Sequence, residues 1–211
     1  MKDVEWFFDF VSPFAYLQFE RIAEVESRAH VTLTPVLLAG ILDHWGQKGP
    51  AEIPAKRRFT YRFVQWQADR QGIALKFPPM HPFNPIKALR LALVAGGGAA
   101  AVRTIFRYIW RDGKSLEDES AWKELCESVG VRAPHSINDP AIKDALKQNG
   151  RRALDAQVFG VPAFVVDHEV FWGLDSTEML IEYLCEPEKF SRGELARAVD
   201  LPIGVQRRAA P

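Results

Sequence analysis

Sulfur is scarce in this chain. Of 211 residues only two are cysteine, Cys126 and Cys185, and they stand far apart with neither metal-like nor redox-like spacing. That excludes a disulfide-stapled scaffold and makes a reducing, cytoplasmic location the plain expectation. Excess charge is lacking too. Lys plus Arg number 27 and Asp plus Glu number 27, which argues against a nucleic-acid binder held by bulk charge. There is no apolar run of about 18 residues, so no membrane span is expected. The first residues, Met1-Lys2-Asp3-Val4, enter a strand pattern directly and show no signal peptide. His44, His81 and His135 have no metal-ligand spacing, so no metal site is expected, and they are assigned to surface or loop positions. No internal repeat is found. What remains is a 47% hydrophobic chain, enough for a real core in one domain or in one domain carrying a large insertion.

Residues 4–10 read as a buried strand. Val4, Trp6, Phe8 and Phe10 alternate with Glu5, Phe7 and Asp9, and Phe7 makes the second face partly apolar. A strand covered on both sides is typical of α/β sheets. A helix then runs to about Ser27, and a second strand is predicted over Val31 to Leu38, with Pro35 marking an edge or a bulge. From Ile41 to about Phe159 almost everything reads as helix, broken by loops at 46–54, 78–85 and 96–98. The cleanest signal is Val102, Ile105, Phe106, Ile109 and Trp110, an amphipathic spacing. Cys126 falls on a similar apolar stripe with Trp122, Leu125 and Val129, while Cys185 ends a later helix; both read as packing residues. Strands return at Ala163–Val166 and Glu169–Trp172 around an Asp167-His168 turn. Asp175 or Ser176 can cap the helix that follows. The last 20 or so residues, with Pro202, Gly204 and Arg207-Arg208, have no strong pattern and read as a surface tail.

The chemistry gathers at Phe8-Asp9-Phe10-Val11-Ser12-Pro13-Phe14-Ala15-Tyr16. Ser12 is a good N-cap and Pro13 fits the first helical position. Ser12 is therefore expected at a strand-to-helix junction, at the positive end of a helix dipole. Such a place suits an anion, including a thiolate; a plain helix cap is the other reading.

The order βαβ, helical block, ββα is that of an α/β, thioredoxin-like fold with a large all-helical insertion. The discontinuous domain takes residues 1–40 and 158–211, and the insertion 41–157. Gly160-Val161-Pro162-Ala163-Phe164 resembles the thioredoxin-like segment whose proline is cis. More closely, the chain resembles the 2-hydroxychromene-2-carboxylate isomerases and kappa-class glutathione transferases of the DsbA-like branch. The likeness covers about residues 4–186. It is carried by residues 8–16, then by Ile53-Pro54-Ala55-Lys56-Arg57, Phe83-Asn84-Pro85, Gly160-Val161-Pro162 and Gly173-Leu174-Asp175.

In disulfide oxidoreductases of this fold a C-x-x-C follows the first strand. Here that place reads Ser12-Pro13-Phe14-Ala15. If the site uses thiol chemistry, the sulfur must arrive with a ligand, and glutathione meets that need. The resemblance implies that Ser12 donates a hydrogen bond to the glutathione sulfur and holds it as thiolate. It also implies that Val161, before Pro162, pairs with the cysteinyl backbone. Lys56 matches the partner of the glycyl carboxylate, and Gln47 falls where the transferases often have Asn. Asp175 faces the γ-glutamyl amine, and the amides near Ser176 face its carboxylate. Asn84 is a candidate contact for the second, aromatic substrate, with a loop-structuring role as its alternative. Trp45, Phe83 and Trp172 are candidate walls of an aromatic pocket, with core packing the stronger reading for most aromatics here.

Two departures stand out. The loop reads Gly46-Gln47-Lys48-Gly49-Pro50 rather than the more usual Gly-Asn-x-Pro-Pro, and Ser176 stands where arginine is common. The first expectation is a glutathione-dependent cis–trans isomerase of 2-hydroxychromene-2-carboxylate or a related aromatic-catabolism intermediate. A kappa-type glutathione transferase and a non-catalytic thioredoxin-like binding protein are the rivals. The resemblance also implies a homodimer.

Overall fold

The computed structural model describes residues 1–205. Its centre is a four-stranded sheet of order β2-β1-β3-β4, with β1 at Lys2–Phe8, β2 at Ala29–Pro35, β3 at Ala163–Val166 and β4 at Glu169–Trp172. β1 runs parallel to β2 and antiparallel to β3, and β3 is antiparallel to β4. This is the expected βαβ and ββα pair joined into one mixed sheet. The parallel pair needs a crossover. It is made by α1 (Pro13–Glu20) and α2 (Ala23–Glu26), two helices where the sequence predicts one. The break falls at Arg21–Ile22, where the backbone leaves the helical register and Arg21 pairs with Glu24.

Between β2 and β3 lie α3 (Leu38–His44), α4 (Pro54–Gln71), α5 (Ile86–Val94), α6 (Ala99–Phe106), α7 (Glu119–Ser128) and α8 (Pro140–Asp155). Arg107–Arg111, directly after α6, is wound wider, as a π-type turn. After β4 come α9 (Thr177–Cys185) and α10 (Gly193–Val199). The latter is a correction: the patternless tail contains a short, largely exposed helix. Arg207 and Arg208, also assigned to that tail, lie outside the described residues.

Strand alternation decides the layers. Val4, Trp6 and Phe8 point into the larger core, where rings of Phe19, Phe106 and Phe164 surround the Trp6 indole. Phe7 points the other way, into a smaller cluster with Ile41 of α3 and Ala153 of α8. Glu5, on that second face, hydrogen-bonds Thr34 and pairs with Arg152 of α8. The doubly covered strand expected from Phe7 is thus observed. β1 nevertheless ends two residues earlier than predicted, because the Ser12 amide donates back to the Asp9 carbonyl at 3.0 Å and turns the chain. β2 likewise stops at Pro35, since Leu38 already opens α3.

The β3–β4 turn is well chosen. Asp167 and His168 both have positive φ, at 51° and 69°, as a tight two-residue hairpin of primed type requires. Among the described residues, no helix is long and apolar enough to cross a membrane.

Candidate functional site

The C-terminal ends of β1, β2 and β4 and the N-terminal end of β3 meet at one edge of the sheet. Extending the register from Phe7↔Ala163 places Val161 across from Asp9. The Gly173 amide donates to the Pro162 carbonyl at 2.8 Å, which brings the turn after β4 to the same edge. Ser12, Val161, Pro162 and the 173–177 turn are therefore neighbours in the fold although about 150 residues or more separate Ser12 from the others in sequence.

Ser12 sits where its sequence context places it. It caps α1, and its Oγ accepts from the Ala15 amide at 3.2 Å. The residue is only 6% exposed. Its hydroxyl proton goes to no group among the described residues, so the oxygen can cap the helix while the O–H still has a bond to give.

The turn ahead of Ser12 is clamped from outside. The Phe10 carbonyl accepts from the Trp110 indole at 2.8 Å, and the Val11 carbonyl lies 2.8 Å from His81 Nε2. His81 Nδ1 lies 2.6 Å from Tyr61 Oη of α4. Burial lowers the pKa of His81, its bond to Val11 opposing, so the ring is neutral at pH 7. Tyr16, on α1, donates to the Ala74 carbonyl at 2.7 Å; burial first, then the Glu20 charge, push its pKa up to about 12.

Asp9 is fully buried. Its carboxylate accepts from Val11 N at 3.0 Å and from Leu38 N at 2.8 Å, joining the Ser12 turn to the first residue of α3. Burial raises its pKa from 3.8 to about 7 against the pull of those two bonds. Sequence reading placed Asp9 in a strand. Neither it nor His81 was assigned a role at the site. Their partners lie 29 and 70 residues away, beyond any local pattern.

Across the edge, the Val161–Pro162 peptide is cis, as expected. Among the described residues, neither the amide nor the carbonyl of Val161 is taken by another protein group. Trp172 lies over Gly160, where an added Cβ would stand 2.6 Å from the indole nitrogen. Phe159 packs beside that indole, ring centres 5.2 Å apart, and the Trp45 indole donates to the Val158 carbonyl at 3.0 Å. Trp45 and Trp172 thus flank the 158–161 loop. Phe83 belongs elsewhere, with His81 and Trp110.

Gln47 is exposed two residues after Trp45, its amide bonded to Leu42 O. Lys56 is exposed in the first turn of α4 and pairs with no carboxylate among the described residues. Asn84 Oδ1 accepts from the Ile86 amide at 3.0 Å, a loop-structuring bond that leaves its amide nitrogen free. Asp175 is exposed and lies over Gly173, whose φ of +92° suits glycine. Ser176 holds the N-cap position of α9 without a capping bond. Its hydroxyl donates instead to Gly173 O at 2.9 Å, and its amide is engaged with the same carbonyl. Gln18, buried on α1, also donates to that carbonyl and to Thr177, tying α1 to this turn. Cys126 is buried, which raises its thiol pKa. Cys185 is exposed, which corrects its reading as a packing residue. Neither lies on the Ser12 turn.

The chain is similar in sequence and fold to known proteins. The chain is 28% identical over 188 residues to 2-hydroxychromene-2-carboxylate isomerase from Pseudomonas putida, covering 84% of this chain and 91% of that one. It is 22% identical over 207 residues to glutathione S-transferase kappa 1 from Caenorhabditis elegans, covering 88% and 92%. A solved 2-hydroxychromene-2-carboxylate isomerase structure superposes with a TM-score of 0.76 at 25% identity, over 90% of this chain and 100% of that one. Residues 3–185 match the family description of the DSBA-like thioredoxin domain. With its sheet order, its helical insertion and its cis Pro162 facing the serine that caps α1, the chain belongs to the DSBA-like thioredoxin domain family.

Proposed function

We propose that the protein is a glutathione-dependent cis–trans isomerase acting on 2-hydroxychromene-2-carboxylate or a related aromatic ring-fission product. One observation carries the reading. A buried serine with an uncommitted O–H stands at the helix N-terminus after β1, in a turn without sulfur, facing a cis-proline loop whose Val161 amide and carbonyl are free. Those groups fit a thiol-bearing peptide. When bound, glutathione supplies a thiolate that adds reversibly to a conjugated carbon, permits rotation about the former double bond, and leaves again.

The chain's own residues supply the rest. Ser12 donates to the sulfur, and the N-terminus of α1 favours its anion over the neutral thiol, whose reference pKa is about 8.5. Val161 pairs with the ligand backbone, and Pro162 holds that peptide turned outward. Lys56 and Gln47 attract the glycyl end, while Asp175 meets the γ-glutamyl amine. Ser176 contributes little direct bonding, since its hydroxyl and amide are both engaged with Gly173. Asn84 retains an amide donor for the second substrate. The same reading carries a cytoplasmic homodimer, and a division into residues 1–40 with 158–211 and an insertion at 41–157.

Thermal unfolding with and without millimolar glutathione tests the reading, in wild type and Ser12→Ala. Binding selective for the folded state raises stability by mass action. An upward shift in wild type that shrinks in Ser12→Ala is expected; no shift in wild type removes the glutathione mechanism. The kappa transferase reading is supported by relatives of similar coverage and uses the same activated sulfur. Product mass separates the two: an isomer keeps the substrate's mass, and a transferase leaves a glutathione adduct.

A further inference from the structure

We propose that His81 is a positioning residue for Ser12, through which α4 and the 78–85 loop of the insertion orient the Ser12 hydroxyl. The proposal deepens the glutathione reading and rests on it only where a bound thiol is concerned.

The argument starts from the peptide between Val11 and Ser12. Such a unit is planar. One edge carries the Val11 carbonyl, bonded to His81 Nε2 at 2.8 Å. The opposite edge carries the Ser12 amide, bonded to the Asp9 carbonyl at 3.0 Å. Two bonds on opposite edges stop the plane from rotating about its long axis. That plane sets φ of Ser12 and so aims the Cα–Cβ bond. The remaining freedom of Oγ is taken by its bond from the Ala15 amide.

His81 is itself held. A carbonyl only accepts, so Nε2 carries the proton; in the neutral ring Nδ1 is then an acceptor, and it shares the Tyr61 O–H, 2.6 Å away, with the His81 carbonyl at 2.9 Å. The ring also packs edge-on against Trp110, centroids 5.3 Å apart, and Trp110 donates to the preceding carbonyl, Phe10 O. Tyr61 stands on α4, one turn beyond Lys56 and Arg57. A line of direct contacts therefore runs from α4 through His81 to the peptide that bears Ser12.

Three variants of the full-length protein test this. His81→Leu removes the donor to Val11, His81→Gln keeps an N–H donor near the same place, and Tyr61→Phe removes the hydroxyl that holds the His81 ring and its backbone carbonyl. The first readout is residue-resolved amide hydrogen exchange without ligand. In His81→Leu, exchange at Ser12 and Ala15 rises about tenfold, the worth of one such bond, while β1 and β3 keep their protection. His81→Gln returns the turn towards wild type, and Tyr61→Phe gives a smaller rise of about threefold. Unchanged exchange in His81→Leu overturns the proposal. So does a uniform rise through β1 and β3, which marks a general packing role.

The second readout is the ultraviolet thiolate absorbance of bound glutathione as a function of pH. The midpoint rises by about half a unit to one unit in His81→Leu and is restored in His81→Gln. An unmoved midpoint overturns the link from His81 to the sulfur. If wild type binds no glutathione, the functional reading fails, and hydrogen exchange still decides the role of His81.

Discussion

The two loops that face each other across the end of the sheet are built in opposite ways. From Asp9 to Ser12 every backbone carbonyl is committed, as are the amides of Val11 and Ser12. Asp9 O accepts from Ser12 N, Phe10 O from Trp110, and Val11 O from His81, while Val11 N and Leu38 N meet the Asp9 carboxylate. The 158–162 loop is held at its ends, by Trp45 on Val158 and by Gly173 on Pro162, and is open at Val161. A buried polar group costs free energy unless it is paired, so the closed loop is a rigid platform. The open one offers a strand-like edge to a ligand's backbone. The proposed glutathione site would use both, the open loop to hold the peptide backbone and the closed one to activate its sulfur.

Three experiments break or sharpen that contrast. The largest effect is expected from Trp110→Ala, which empties a fully buried site and orphans Phe10 O. A loss of about 3–5 kcal/mol is expected, read as a melting temperature lower by roughly 10 °C. Next comes the pH dependence of Asp9. Its folded pKa, about 7, lies above the unfolded value near 3.8. The folded chain therefore binds the proton more tightly, and the stability this contributes is present at low pH and lost as pH rises from about 4 through 7. Relative to Asp9→Asn, wild type is expected to lose stability between pH 4 and pH 8 in urea unfolding. A flat difference shows that the two backbone bonds balance the burial. The smallest effect belongs to Gly160→Ala. The new Cβ displaces the Trp172 indole, which is already 52% exposed and can swing away. A cost below about 1 kcal/mol and a red-shifted tryptophan emission are expected. A loss as large as that of Trp110→Ala makes the open loop as determined as the closed one and ends the contrast.

Much of the fold was legible because it is written locally. Phe7 on the second face of β1 foretold layers on both sides, and Asp167-His168 took the hairpin turn assigned to it. Gly160-Val161-Pro162 foretold a cis peptide, and Ser12-Pro13 a helix start. The failures share a cause. β1 was drawn two residues late because nothing in Asp9-Phe10 announces a turn whose partners are Ser12 and Leu38. The clean apolar stripe of Val102 to Trp110 correctly placed α6 but hid the wide turn at Arg107–Arg111, from which Trp110 reaches Phe10. His81 looked like a loop histidine, and it is one. Its partner is visible only once the loop has folded back on the Ser12 turn. At the candidate site, sequence reading named residues with recognisable motifs and gave no role to Asp9 and His81, whose bonds to the Ser12 turn come from distant parts of the chain.

The sheet register also has a temporal consequence. Phe7 pairs with Ala163, so the first strand waits for its central neighbour while 156 further residues are made. At roughly 5–20 residues per second that delay is about 8–30 seconds. During it β1 can pair only with β2, and one edge of a strand bearing Trp6, Phe7 and Phe8 stays open. The helices made in the interval are then the early shelter for that edge, since Phe106 and its neighbours can cover the Trp6 face before β3 emerges. Ser12 leaves the ribosome about 150 residues before Val161, so the two loops that face each other across the end of the sheet meet only after the whole helical block has been made.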